Sequence, residues 1–340
     1  VAEMTYRRLG GSNCEVSALC LGTMMFGDQT DASESANIMA NAREIGVNFV
    51  DTADVYTRGA SEKVLAPLIQ AERQWWVLAT KLGNKMSNRP NEGGYSRVWM
   101  IREVEQSLKR LNTDYVDILY MHLDREHDSL EEPLRAMDDL IKAGKIRYYG
   151  ISNFRGWRIA EVNRMADSLN MPGPVVLQPY YNLLNRQPEV EILPACDYYD
   201  MGVVPYSPIA RGVLTGKYLP GEKPAEGTRA ARNDKRIMQT EWREESLHIA
   251  QQLNEHAKSR GISLAQFATA WVVANDIVTS VIAGPRTLDQ WRGYEGALTY
   301  HWTSEDEALV DSLVTPGHAS TPGYHDPQYP FFGRRVVSAG

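Results

Sequence analysis

Apolar positions along this chain follow two periods in alternation. Short runs rich in Val, Ile, Leu and Phe, as buried strands are, each precede a longer stretch whose apolar residues recur at helical spacing. The first strand runs from Val16 to Leu21 and stops at Gly22-Thr23. The helix behind it is capped by Asp31 or Ser33, carries Ala36, Met39, Ala40, Arg43 and Ile45, and ends at Gly46. The cycle repeats with strand Asn48 to Val50 and helix Ser61 to Gln70, strand Trp76 to Ala79 and helix Val98 to Leu111, then strand Val116 to Tyr120 and helix Leu130 to Ala143, closed by Gly144. It continues with strand Tyr148 to Ile151 and helix Trp157 to Leu169, strand Val175 to Leu177 and helix Glu189 to Asp200, and strand Gly202 to Pro205. After a long insertion come helices Arg243 to Arg260 and Ser263 to Asn275, and an eighth strand, Thr279 to Ala283. Ahead of all this, Thr5 to Ser17 alternates around Gly10-Gly11-Ser12-Asn13, which predicts a β-hairpin.

Strands joined by helices are parallel, and eight of them close into a barrel. The expected fold is therefore α/β, a (β/α)8 TIM barrel with an N-terminal hairpin, extra helices and a C-terminal tail. A doubly wound open sheet calls for a GxGxxG turn after an early strand, and none is present. No composition break divides residues 1–315, which read as one barrel domain. Residues 316–340 are rich in Pro and Gly yet carry Tyr324, Tyr329, Phe331 and Phe332, and are expected to pack on the barrel or on a partner subunit.

Composition narrows the partners. With 43% hydrophobic and 23% charged residues the chain is globular, and 36 basic against 43 acidic side chains disfavour nucleic acid. Cys14, Cys20 and Cys196 form no CxxC pair, and no apolar run reaches membrane length, so a soluble cytoplasmic protein is expected. The histidines lack metal-ligand spacing and no GxSxG elbow occurs, so neither a metal site nor a serine nucleophile is predicted.

The chemistry gathers where strands end, the functional rim of such barrels. Strand two ends in Asp51, with Tyr56 five residues on; the next ends are Lys81, His122, Ser152-Asn153, Gln178, Tyr206-Ser207 and Gly284. Any one of these is as readily a strand cap. Together, Asp51, Tyr56, Lys81 and His122 suit the protonation of an oxygen that gains charge as hydride reaches its carbon. An ammonium beside the phenol is expected to lower its pKa, Asp51 to hold Lys81 charged, and His122 to orient the substrate oxygen. Asp54 reads as a loop or capping residue.

These residues lie within Leu21-Gly22-Thr23-Met24, Asp51-Thr52-Ala53-Asp54-Val55-Tyr56, Ala79-Thr80-Lys81, Met121-His122, Gly150-Ile151-Ser152-Asn153, Gln178-Pro179, Tyr206-Ser207-Pro208, Gly212-Val213-Leu214 and Ile282-Ala283-Gly284. In that order and spacing the chain resembles the aldo-keto reductase family, of the NADP-dependent bacterial type related in fold to the potassium-channel β-subunits. The resemblance implies a catalytic tetrad at Asp51, Tyr56, Lys81 and His122, with Tyr56 the acid in reduction and the base in oxidation. It implies NADP(H) extended across the rim: Ser152, Asn153 and Gln178 on the carboxamide, Tyr206 stacked on the nicotinamide, and Gly22, Thr23, Met24 and Asp51 beside the reacting carbon. Ser207, Pro208, Ile209, Ala210, Arg211, Gly212, Leu214 and Lys217 would wrap the pyrophosphate, with Gly284, Arg286 and Gln290 on the adenosine side and Arg286 on the 2′-phosphate.

Where many relatives carry Glu and Asn to hold the adenine, this chain has Gly293 and Tyr294; the adenine contacts stay open between Tyr294 stacking on the base and a shifted helix boundary. Met25 and Phe26, with Tyr56 and His122, are the candidate substrate pocket, which points to a partly apolar aldehyde or ketone rather than a phosphorylated sugar. Trp99 reads better as core. The expected partner is a small-molecule carbonyl or alcohol, and a homo-oligomer is compatible with the reading. The alternative is a non-catalytic NADP(H)-binding regulatory or redox-sensing subunit; the channel β-subunits lack the tetrad His, which His122 supplies here.

Overall fold

Strands that are apolar on both faces must be covered on both, and the chain does this by rolling the sheet up and ringing it with helices. The structure is a computed structural model that describes residues 4–334. Its strands and helices in chain order are β1 (Tyr6–Arg8), β2 (Glu15–Ser17), β3 (Leu19–Gly22), α1 (Ala32–Glu44), β4 (Phe49–Asp51), α2 (Ala60–Ile69), β5 (Val77–Leu82), α3 (Arg97–Leu111), β6 (Val116–Met121), α4 (Glu131–Lys142), β7 (Ile146–Ser152) and α5 (Gly156–Ser168). There follow β8 (Val176–Gln178), α6 (Ile192–Tyr198), β9 (Gly202–Val203), α7 (Lys235–Gln239), α8 (Glu244–Ser259), α9 (Leu264–Val273), β10 (Val281–Ala283), α10 (Leu288–Glu295) and α11 (Ser304–Leu313).

Eight strands form one parallel sheet in the order β10-β3-β4-β5-β6-β7-β8-β9. Its outer edges meet, because the Thr279 N–H donates to the Val203 carbonyl at 2.8 Å and the Ile282 N–H to the Pro205 carbonyl at 2.9 Å. The (β/α)8 barrel is thus as expected. Inside it, Cys20, Phe49, Ala79, Tyr120, Val176, Val204 and Ile282 pack together, while a larger apolar layer fills the space between strands and helices.

The antiparallel pair β1–β2 plugs one end, with Leu9 and Val16 joining the barrel interior. Gly10 at its turn has φ +56°, and an added Cβ would lie 2.5 to 2.7 Å from three backbone atoms of Asp200, Gly202 and Val175, so only glycine fits. Two expectations need correction. The single strand Val16 to Leu21 is two, broken at Ala18, because the hairpin arm and the barrel strand run in different sheets. The sixth helix begins only at Ile192, since Pro188 lies in a 3-10 turn and Glu191, at φ −136°, leaves the helical region.

After α11 the chain runs back across the barrel. The Ser320 N–H donates to the Leu184 carbonyl at 2.9 Å, Arg236 forks onto Asp326 at 2.6 and 3.0 Å, and Arg155 donates to the carbonyls of Tyr329 and Pro330 at 2.7 and 2.9 Å. Among the described residues no helix is long and apolar enough to cross a membrane.

Candidate active site

Strand alternation decides which rim side chains point inward. Asp51 lies two residues beyond Phe49, Lys81 two beyond Ala79, His122 two beyond Tyr120, Gln178 two beyond Val176 and Tyr206 two beyond Val204, and each of those predecessors is in the barrel interior. Each polar group therefore continues an inward-facing row past the point where the apolar filling stops.

The rows converge. Fully buried Lys81 donates from Nζ to Asp51 Oδ2 at 2.5 Å, to the Thr52 carbonyl at 2.8 Å and to the Tyr56 hydroxyl at 3.0 Å. The other Asp51 oxygen accepts from Gln178 Nε2 at 3.0 Å. The rings of His122 and Tyr56 meet edge to face, centroids 5.9 Å apart. The four residues expected to act together do lie together.

Their ionisation differs from expectation at one point. Burial pushes the Tyr56 hydroxyl above its ordinary pKa, and Lys81, which pulls the other way, does not overcome it. Tyr56 thus holds its proton at neutral pH. Burial pulls Lys81 down, but Asp51 and Tyr56 outweigh it and leave the ammonium above its usual value. Asp51 is raised by burial, with Lys81 opposing. His122 lies well below the usual histidine value, from burial and then from Lys81, so its ring is neutral at pH 7; its Nδ1 is buried without a hydrogen bond.

Beside the tetrad, Asn153 Nδ2 donates to the His122 carbonyl at 3.0 Å and to Ser152 Oγ at 3.1 Å, and the Tyr206 hydroxyl donates to Asn153 Oδ1 at 2.7 Å. Ser152 Oγ donates to the Gln178 carbonyl at 2.8 Å. Ser152, Asn153, Gln178 and Tyr206 are therefore one bonded patch next to Tyr56 and His122. Met24 is 40% exposed at this rim, and a Cβ on Gly284 would meet nothing within 4 Å, so that side is open.

Further along the rim, cations gather. Arg286 and Arg232 donate to the same Gln29 oxygen at 3.2 and 2.8 Å. Burial, then Arg286 and Arg232, lower the Lys217 pKa. Among the described residues none of the three pairs with a carboxylate. A phosphate group would relieve this mutual repulsion, and the residues present fit the phosphates of a nicotinamide dinucleotide. Arg232 and Gln29 were not legible in sequence, since a cation in an aperiodic insertion reads as solvated charge.

Other expected contacts are placed differently. Thr23 is buried, its hydroxyl donating to the Asp51 carbonyl at 2.9 Å. Phe26 and Leu214 are buried in the outer apolar layer, which leaves Phe26 no free face toward a substrate and Leu214 only its backbone. The Arg211 guanidinium binds Glu241 at 2.6 Å and Thr240 at 3.1 Å. Tyr294 is buried, while Gln290 Oε1 accepts from the Arg286 N–H at 2.8 Å. Asp54 is no cap: it is fully buried and its carboxylate has no side-chain hydrogen-bond partner. Trp99 is core, as read.

The sequence profile described as the Aldo/keto reductase family matches residues 18–315. The chain is 38% identical over 294 residues to a "Probable voltage-gated potassium channel subunit beta" of Oryza sativa subsp. japonica, spanning 84% of this chain and 89% of that protein. It is 36% identical over 331 residues to the "Uncharacterized oxidoreductase YrpG" of Bacillus subtilis (strain 168), spanning 94% and 98%. To the L-glyceraldehyde 3-phosphate reductase of Escherichia coli (strain K12) it is 32% identical over 330 residues, spanning 93% and 94%.

Proposed function

We propose, from the premise that the chain belongs to the Aldo/keto reductase family and is thereby an oxidoreductase, that it moves hydride between NADPH and the carbonyl carbon of a small aldehyde or ketone, reversibly with the alcohol. The observation that carries this is Lys81 Nζ bonded at once to Asp51 and to the Tyr56 hydroxyl, with neutral His122 against the Tyr56 ring. The bound cofactor supplies the hydride. Tyr56 keeps its proton until the substrate oxygen becomes negative, and gives it up beside an ammonium that stabilises the phenolate left behind. Asp51 anchors that ammonium, and His122, uncharged, is suited to hydrogen-bond the substrate oxygen and orient it. Lys217, Arg232 and Arg286 support NADP(H) over NAD(H), because three unpaired cations suit a phosphate's several oxygens.

Binding and turnover test this together. Tyr56→Phe should keep the parent's NADPH affinity by calorimetry and lose roughly 100-fold or more in turnover on a panel of aldehydes and ketones, since only the proton donor is gone. A parent chain that fails to bind NADPH removes the reading; a variant as fast as the parent removes Tyr56 as the acid. The second reading, a non-catalytic NADP(H)-binding regulatory subunit, is favoured by likeness to proteins named as channel β-subunits, and predicts binding without turnover on any of the panel.

A further inference from the structure

Arg211 sits in the loop expected to wrap the pyrophosphate, yet its guanidinium is engaged by a buried acid. Glu241, fully buried in the stretch after α7, takes a hydrogen bond from Arg211 at 2.6 Å and one from each of the hydroxyls of Tyr180 and Thr240. The Arg211 backbone is left-handed (φ 52°, ψ 26°), between Ala210 at φ 48° and Gly212 at φ 100°. Two successive non-glycine residues in that region persist only where their surroundings hold them there. Within the turn the N–H groups of Ala210, Gly212 and Leu214 donate to the carbonyls of Ser207 and Ile209 at 2.9 to 3.1 Å. On the other side, the Tyr180 ring packs on the Tyr206 ring with centroids 5.7 Å apart, so Glu241 braces both the loop and the ring expected against the nicotinamide.

We propose that Glu241 is a positioning residue for the cofactor: through Arg211 it holds the turn of residues 207–214, left-handed at 207 and 210–212, in its binding shape, and through Tyr180 it steadies Tyr206. This rests on the NADP(H) reading above. A loop shaped before binding spares the cofactor the cost of ordering it, so removing the brace weakens affinity and leaves the chemical step largely intact once the site is filled. A merely structural ion pair affects stability alone, and exchanging both partners for uncharged groups of similar volume is then close to neutral.

Glu241→Gln removes the charge and keeps acceptor oxygen for the hydroxyls; the double variant Arg211→Met, Glu241→Leu removes both charges and keeps the volume. On the full chain, NADPH Kd, kcat at saturating NADPH, thermal midpoint and cofactor-free hydrogen exchange of amides 209–214 are measured. In both variants Kd should weaken about 10-fold or more, as expected when the competent loop falls to a tenth of the population, and these amides should exchange faster than in the parent, while kcat at saturating NADPH of Glu241→Gln stays within about 3-fold of the parent. A folded double variant with the parent's Kd and exchange overturns the proposal, as does a loss confined to kcat. If the parent itself binds no NADPH, the function proposed above fails separately, and the exchange measurement still tests the brace.

Discussion

A phenol is a weak acid at neutral pH, and burial at Tyr56 makes it weaker still despite Lys81 at 3.0 Å. That suits reduction, where the proton must be retained until the oxygen needs it, and reductive turnover should fall only as pH rises past the ordinary tyrosine value of 10.0. Asp51, Lys81 and His122 were legible because each stands at a strand end, and Tyr56 because it follows Asp51 in the loop beyond β4. The cation group around Gln29 was legible only at Lys217 and Arg286, since Arg232 reaches it by a path no local pattern encodes. Arg286→Ala and Arg232→Ala should each weaken NADPH by roughly 10-fold or more and NADH by far less, a charge-assisted contact being worth about 1.5–3 kcal/mol. Titration of both variants with both cofactors checks this, and equal loss for NADH would place these cations off the 2′-phosphate.

Between the Tyr56 loop and helices α2 and α3 lies a second polar group that sequence reading passed over. Glu62 accepts from Thr80 Oγ1 at 2.7 Å and from Arg110 Nε at 2.5 Å, and Arg110 also binds Glu103 at 2.5 Å. One guanidinium thus serves two carboxylates, and Asp54 is left over. Burial first, then Glu103 and Glu62, push the Asp54 pKa well above its ordinary value, with the Val55 amide and Arg110 offsetting part. Because the folded state binds this proton more tightly than the unfolded chain, the group's favourable contribution is complete below pH 3.8 and is lost as pH rises toward the folded pKa. Asp54→Asn keeps the shape without the charge. It should raise the neutral-pH thermal midpoint, by about 1 kcal/mol of stability, and flatten the acid-to-neutral stability slope. A thermal midpoint measured from pH 4 to 8 decides it; an unchanged slope means Asp54 is not the titrating group. The spacing Asp54, Glu62, Glu103 and Arg110 has no period to announce it, because the cluster is assembled by three different elements.

At the scale of the molecule, the hairpin closes one end of the barrel and the chain after Thr315 crosses its surface. Gly10→Ala puts a methyl against three backbone atoms at a left-handed position, and should cost about 2–4 kcal/mol, read in urea unfolding, with NADPH affinity per folded molecule unchanged because the rim is at the other end. A variant as stable as the parent would mean the hairpin end yields easily. By itself the sequence determined the alternation of eight strands with helices, the absence of a glycine-rich dinucleotide turn and the polar residues closing strands two to seven, because period, length and stop signals are local properties of the chain. It also held the inward row, since Asp51, Lys81 and His122 each stand two residues beyond an interior residue. Tertiary structure alone decided what those groups experience: that burial outweighs Lys81 at Tyr56, that Arg211 turns to Glu241, that Thr23, Phe26 and Tyr294 are packed away, and that Arg232 joins Arg286 across 203 and 257 residues of separation from Gln29. Desolvation and partner choice depend on which distant segments fold against a side chain, and no window of sequence contains both.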